Sequence, residues 1–154
     1  MVTVDHVLSY NATSSMEIPN DGREEFVIRR APTLMDGKGE FAISLSRLPE
    51  GKRMRDFRRP GSWVRLFLQA AGSAEAMMVE VRQENPDGSD SLYKLARPLP
   101  EGEPSTGTVD ITWDGRIDSV PAEEAFDASE AGDIFWHYYQ HDAVPENYEL
   151  RFLE

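Results

Sequence analysis

The chain has no cysteine. That absence excludes disulfides, thiolate metal ligands and cysteine nucleophiles, and it suits a reducing compartment. No apolar run approaches the ~20 residues needed to cross a bilayer. The opening residues, MVTVDHVLSY, carry an acid at position 5 and lack the basic and apolar regions of a signal peptide. A cytoplasmic protein without a membrane partner is the expectation. Positive charge is scarce: 16 Lys+Arg stand against 28 Asp+Glu, for a net charge of -12. A nucleic-acid binder needs basic surface to displace counterions from phosphates, so no nucleic-acid partner is expected. The chain also lacks a Gly-x-Ser-x-Gly elbow, a Gly-Lys-Ser/Thr phosphate loop and a Gly-x-Gly-x-x-Gly turn. No cofactor is expected, and the chain is not read as an enzyme. Its 154 residues are enough for one domain, 1-154, with a core that needs no staples.

The charge is unevenly spread. Arg47 to Arg65 holds seven basic and two acidic residues, a local balance of +5. Glu101 to Glu154 holds fourteen acidic and two basic residues, so this final third alone carries -12. Such asymmetry suits electrostatic contact with a basic partner, against the plainer reading of a soluble acidic surface.

Most of the chain reads as strands and turns. Val2 to Leu8 alternates, Asn11 to Asn20 is turn-rich, and Asn11-Ala12-Thr13 is a chance sequon. Phe26-Val27-Ile28 suggests a strand ended by Pro32, and Phe41, Ile43 and Leu45 alternate through another. Pro49 to Gly61 is a basic loop with room for one helical turn, and strand character resumes from Trp63 to Leu68. Met77 to Arg82 and Leu92 to Leu95 flank a turn with Asp87-Gly88. Val109 to Trp113 and Arg116 to Val120 flank Asp114-Gly115, the tightest hairpin signal in the chain. Tyr148 to Leu153 supplies a last strand.

One stretch, Asp127 to His141, is strongly helical. Ala131, Ile134, Phe135 and Tyr138 fall at i, i+3, i+4 and i+7, on one face. Asp127 and Glu130 form a capping pattern, and Pro145 prevents continuation. The expected fold class is α+β: a mostly antiparallel β-sheet with this C-terminal α-helix packed on it and a final short strand.

Two constellations have chemical potential. Asp133, His137 and His141 are one turn apart, a spacing that can bind zinc, but without the glutamate base of a His-Glu-x-x-His site. A solvated polar stripe explains them equally, and no metal is assigned. Glu123, Glu124, Asp127, Glu130 and Asp133 cluster at the helix start, where carboxylates stabilise the dipole without any function. Acid/base catalysis by paired carboxylates is the alternative there. The loop cations Lys52, Arg53, Arg55, Arg58 and Arg59 suit phosphate, an acidic partner or the chain's own acids.

Val120-Pro121-Ala122-Glu123-Glu124-Ala125-Phe126, the helix that follows, and Val144-Pro145-Glu146-Asn147-Tyr148-Glu149-Leu150 together resemble the closing segment of bacterial immunity proteins that neutralise polymorphic toxins. The likeness covers about 35 residues. Gln140-His141-Asp142-Ala143 departs from it where a Gly-Arg-like turn is expected, and Arg151 where a Trp often falls. The resemblance implies an antitoxin-type inhibitor whose partner is a cognate, basic protein toxin. Trp113, Trp136, Tyr138 and Tyr139 are aromatic anchor candidates, with Tyr138 better placed as core. Glu123, Glu124, Glu130, Asp133, Trp136, His137 and Tyr139 form the expected partner surface. The rival expectation is a small ligand-binding or enzymatic α+β domain with a pocket near the C-terminal helix, where His137 or the carboxylates do chemistry.

Overall fold

A computed structural model describes residues 2-154. Nine strands and two helices follow the order β1 (Val4–Tyr10), β2 (Ser14–Pro19), α1 (Glu24–Thr33), β3 (Ala42–Arg47), β4 (Phe67–Gly72), β5 (Met77–Glu84), β6 (Asp90–Ala96), β7 (Thr108–Trp113), β8 (Arg116–Pro121), α2 (Ala128–His141) and β9 (Glu149–Phe152). The expected α+β class holds. Seven strands form one antiparallel sheet in the order β2-β1-β3-β4-β5-β6-β9, and β7 and β8 form a separate two-stranded ribbon.

Strand alternation sends one row of side chains to the helix-covered face. Leu8, Leu45, Leu68 and Val81 are successive cross-strand partners and all are buried. Ile43, Ala70 and Val79 form the next row, and Ala131, Ile134, Phe135 and Tyr138 of α2 close over both. The other face carries Ser44, Gln69, Glu80, Lys94 and Arg151 in register. A small second cluster there, Met78, Ile111 and Val120, seats the ribbon. Gly72 permits that seating: it has φ +140, and a Cβ on it would come within 2.8 Å of Ile111 Cγ2.

Several expectations are corrected. Residues 24–33 are a helix, not the strand read from Phe26-Val27-Ile28. Ile28, Ala31 and Met35 are buried at helical spacing, Glu25 pairs with Arg29 one turn on, and Pro32 lies inside the last turn instead of breaking the segment. Only Asn11 to Thr13 of the turn-rich stretch is a turn, and Ser14–Pro19 is an edge strand. Asn11 takes φ 53, and its side chain donates to Gly39 and accepts from Phe41 and Ala42. The strand read from Trp63 begins at Phe67, because Arg65 is drawn off to Asp90, Glu84 and the Gly88 carbonyl.

The strongest signals hold closely. Asp127 caps α2 by accepting from the Glu130 N–H at 2.9 Å. Asp114 and Gly115 both have positive φ, 49 and 75, as a tight hairpin with the strands' own twist requires. The basic loop contains one 3-10 turn, Met54–Asp56. No helix among the described residues is long and apolar enough to cross a membrane.

Candidate functional site

The carboxylates before α2 turn inward. Glu123 and Glu124 are 6% and 7% exposed, on the face of the sheet opposite the helices. Glu124 Oε1 lies 3.2 Å from Lys94 Nζ, and its Oε2 lies 2.5 Å from Arg151 Nη1. Lys94 and Arg151 are cross-strand partners on β6 and β9, so Glu124 neutralises two cations that the sheet register sets side by side. Glu123 accepts from Ser105 Oγ at 2.7 Å and from Arg151 at 3.3 Å. The Ser105 hydroxyl, with a smaller contribution from Arg151, holds Glu123 below the usual carboxylate range. The neighbouring carboxylates push the Arg151 guanidinium up, Glu124 most of all.

The acids on α2 are also engaged. Glu130 Oε1 takes Arg97 Nη2 at 2.8 Å, and its Oε2 accepts from Tyr148 Oη at 2.8 Å. Arg97 continues to the Ala122 and Ala125 carbonyls and lies 4.7 Å from the centre of the Phe126 ring. That network ties the lead-in of α2 to β6 and to the start of β9. Asp133 is exposed but pairs with Arg29 of α1. The two helices approach closely there: a Cβ on Gly132 would sit 3.7 Å from Arg29 Cα.

The aromatic and imidazole groups form two further pairs. Trp136 and Tyr139 stack with centroids 5.4 Å apart, and Tyr139 leans on His6 at 4.5 Å. His137 and His141 lie 4.4 Å apart on a wide, shallow cleft with Val144, Pro145 and Asn147. His137 Nδ1–H donates to the Ala143 carbonyl at 2.8 Å, which leaves Nε2 as its free nitrogen. Asp133 is turned to Arg29, and no group of three metal-ligating side chains occurs among the described residues.

The seven residues expected on one partner surface are therefore dispersed. Glu123 and Glu124 are buried beneath β6 and β9, Glu130 and Asp133 are ion-paired, Trp136 and Tyr139 are half-buried and stacked, and His137 lines the shallow cleft. Residue types alone could not reveal this, because each pairing partner (Lys94, Arg97, Arg151, Arg29) lies 27 or more residues away in sequence.

Unpaired negative charge gathers elsewhere. Of the fourteen acidic residues from Glu101 onward, seven form ion pairs and Asp127 caps α2. Of the remaining six, five lie between Glu101 and Asp118: Glu101, Glu103, Asp110, Asp114 and Asp118. They share the β7–β8 arm and its lead-in with a single cation, Arg116, which lies 5.0 Å from the Trp113 ring. Asp118 accepts from Trp113 Nε1 at 2.6 Å, and this fixes the indole against the arm. Alternation turns Ile111 and Val120 to the sheet and leaves Asp110, Thr112, Ile117 and Ser119 outside. Ile117 is 69% exposed at the turn end of that outer face, opposite Thr112. Asp114-Gly115 gives the hairpin, but the expected partner surface does not include the arm's unpaired carboxylates. The signal available in the sequence was the shortage of cations between Glu101 and Pro121.

No protein-family model, curated protein or solved structure gives a significant match to this chain.

Proposed function

We propose that the protein is an immunity- or antitoxin-type inhibitor that acts by binding a basic protein toxin, with the β7–β8 arm as its contact surface. The observation that carries this reading is the imbalance of the arm and its lead-in, where five carboxylates form no ion pair and Asp110 shares the outer face with an exposed Ile117. The rest of the acidic final third is spent almost entirely on internal pairs. A basic partner meets a net-negative arm with steering that raises the on-rate, and the exposed Ile117 near its turn offers an apolar anchor. The closing segment's likeness to immunity proteins points the same way.

The test is titration of the purified protein against the product of the neighbouring gene. Binding should weaken with salt, and the pair Asp110→Lys with Ile117→Asp should abolish most of it without changing the melting temperature. If no neighbouring product binds and deletion of the gene causes no self-intoxication, the reading fails. If the arm variant binds as tightly as the parent, the arm is the wrong surface. The rival ligand-binding or enzymatic reading has its best support in the His137–His141 cleft. That cleft is shallow and wide, whereas small-molecule sites enclose most of their ligand.

A further inference from the structure

The connection between β3 and β4 is held at two points. Arg53 grips Glu17 of β2, Nη2 to Oε1 at 2.7 Å and Nε to Oε2 at 3.0 Å, and Glu17 also accepts from the Met54 N–H at 2.9 Å. Further along, Phe57 packs on Trp63 with ring centroids 4.9 Å apart. Between and beside these anchors, Lys52, Arg55, Arg58 and Arg59 are all exposed, and none forms an ion pair among the described residues. Acids outnumber bases by twelve in this chain, yet these four cations form no ion pair among the described residues. Two anchors and an unused charge make a surface pre-set for something else.

Beside the loop lies a cleft of about 350 Å³ lined by Leu48, Trp63, Leu66 and Tyr138, with Arg47 and Arg65 among its charged members. Arg47 is neutralised by Asp142, and Arg65 by Glu84 and Asp90, so the uncompensated positive charge comes from the loop. The Trp63 indole N–H is shielded from solvent and has no acceptor. A cleft of this size takes one aromatic or branched apolar side chain. The cations at 52, 55, 58 and 59 lie beside an apolar cleft, so the surface complements a chain that carries both carboxylates and an apolar side chain. A single phosphate would need several donors aimed at one point.

We propose that the Lys52–Arg59 loop and the adjoining Trp63–Leu66–Tyr138 cleft dock an acidic peptide segment of a partner protein, its carboxylates along the loop and one apolar side chain in the cleft. This site is separate from the acidic arm and takes a partner of the opposite charge.

The experiment is fluorescence anisotropy of the full chain with a labelled synthetic peptide of alternating Glu and Ser around one central Phe. Binding should weaken as salt rises. Replacing the peptide's Phe with Ser, or making Arg58→Glu with Arg59→Glu in the protein, should each weaken binding roughly tenfold. Both arginines are exposed and unpaired, so the double variant keeps the parent's melting temperature, which confirms that it folds. The proposal is overturned if the peptide does not bind, if either change leaves binding untouched, or if a labelled single-stranded oligonucleotide binds more tightly than the peptide. The Asp110→Lys, Ile117→Asp variant should bind the peptide normally, so failure here and failure of the arm reading are told apart.

Discussion

Glu124 and Asp110 are both acids of the same final third, and they do opposite things. Glu124 sits beneath two strands and joins Lys94 to Arg151, so its charge holds the sheet edge together. Asp110 projects from the outer face of a two-stranded arm, where no cation meets it. The closing segment, α2 with β9 and the turn before them, uses its charge internally. The arm leaves its charge for the outside. A count of acidic residues treats the two as equal, and only the register of β6 against β9 separates them.

The largest effect should come from the core beneath the closing segment. Phe135 is fully buried with Ile134 and Ala131 over the sheet. Phe135→Ala should cost about 3–5 kcal/mol, read as a lower midpoint in chemical denaturation with an unchanged slope. If the cost is under about 1 kcal/mol, α2 is not the lid of this core.

Next comes the paired carboxylate itself. Glu124→Gln keeps the shape but removes the charge that balances two cations. Breaking a fully buried pair costs about 3–5 kcal/mol, but Arg151 and Lys94 retain some solvent access, so about 1–3 kcal/mol is expected here. The loss should be smaller in a Glu124→Gln, Lys94→Met double variant, which removes one stranded cation. A double-mutant cycle without coupling would show that this pair is incidental.

How far the sequence could be read follows the same division. Local signals came through: the Asp127 cap, the Asp114-Gly115 turn and the alternation of Ile43 and Leu45 are written within a few residues. Helix α1 did not, because three adjacent apolar residues, Phe26-Val27-Ile28, mimic a strand. Its true period, Ile28, Ala31 and Met35, runs through a proline that local rules treat as a stop. The pairing of the candidate surface residues was the least legible part. Whether Glu123, Glu124, Glu130 or Asp133 is free depends on Arg151, Lys94, Arg97 and Arg29, and pairings at such separation leave no trace in spacing.

A pH titration probes the end of α2. His6 is 3% exposed, with Nε2 3.3 Å from Asp142 Oδ1, the Tyr139 ring against it, and Arg47 and Asp5 nearby. Burial holds its pKa below the ordinary 6.5, and the smaller pull of Asp142 does not reverse this. The unfolded chain therefore takes up the proton first, so stability is full above about 6.5 and falls as pH drops towards the folded-state value. Carboxylates held low in the folded state, Glu17 and Asp90 among them, add their own loss only at lower pH, below their ordinary values of 4.5 and 3.8. His6→Phe should flatten the upper limb and leave the lower one. A variant that keeps the full slope near pH 6 would remove His6 as its source.

The smallest effect should be on the arm, and its smallness is informative. Asp110→Asn removes a charge that no partner uses, and Asp114→Asn keeps a residue type that tolerates the positive φ of 49 at that turn. Together they should change stability by no more than about 0.5 kcal/mol, whereas Glu124→Gln, with a single charge removed, costs more. Since like charges crowd the arm, a slight gain at low salt is the expected sign. The same double variant should slow association with a basic partner and leave its dissociation largely unchanged, because rim charges act mainly on the encounter. If it instead destabilises the fold as much as Glu124→Gln does, the arm's carboxylates have internal work after all, and the contrast between the two regions collapses.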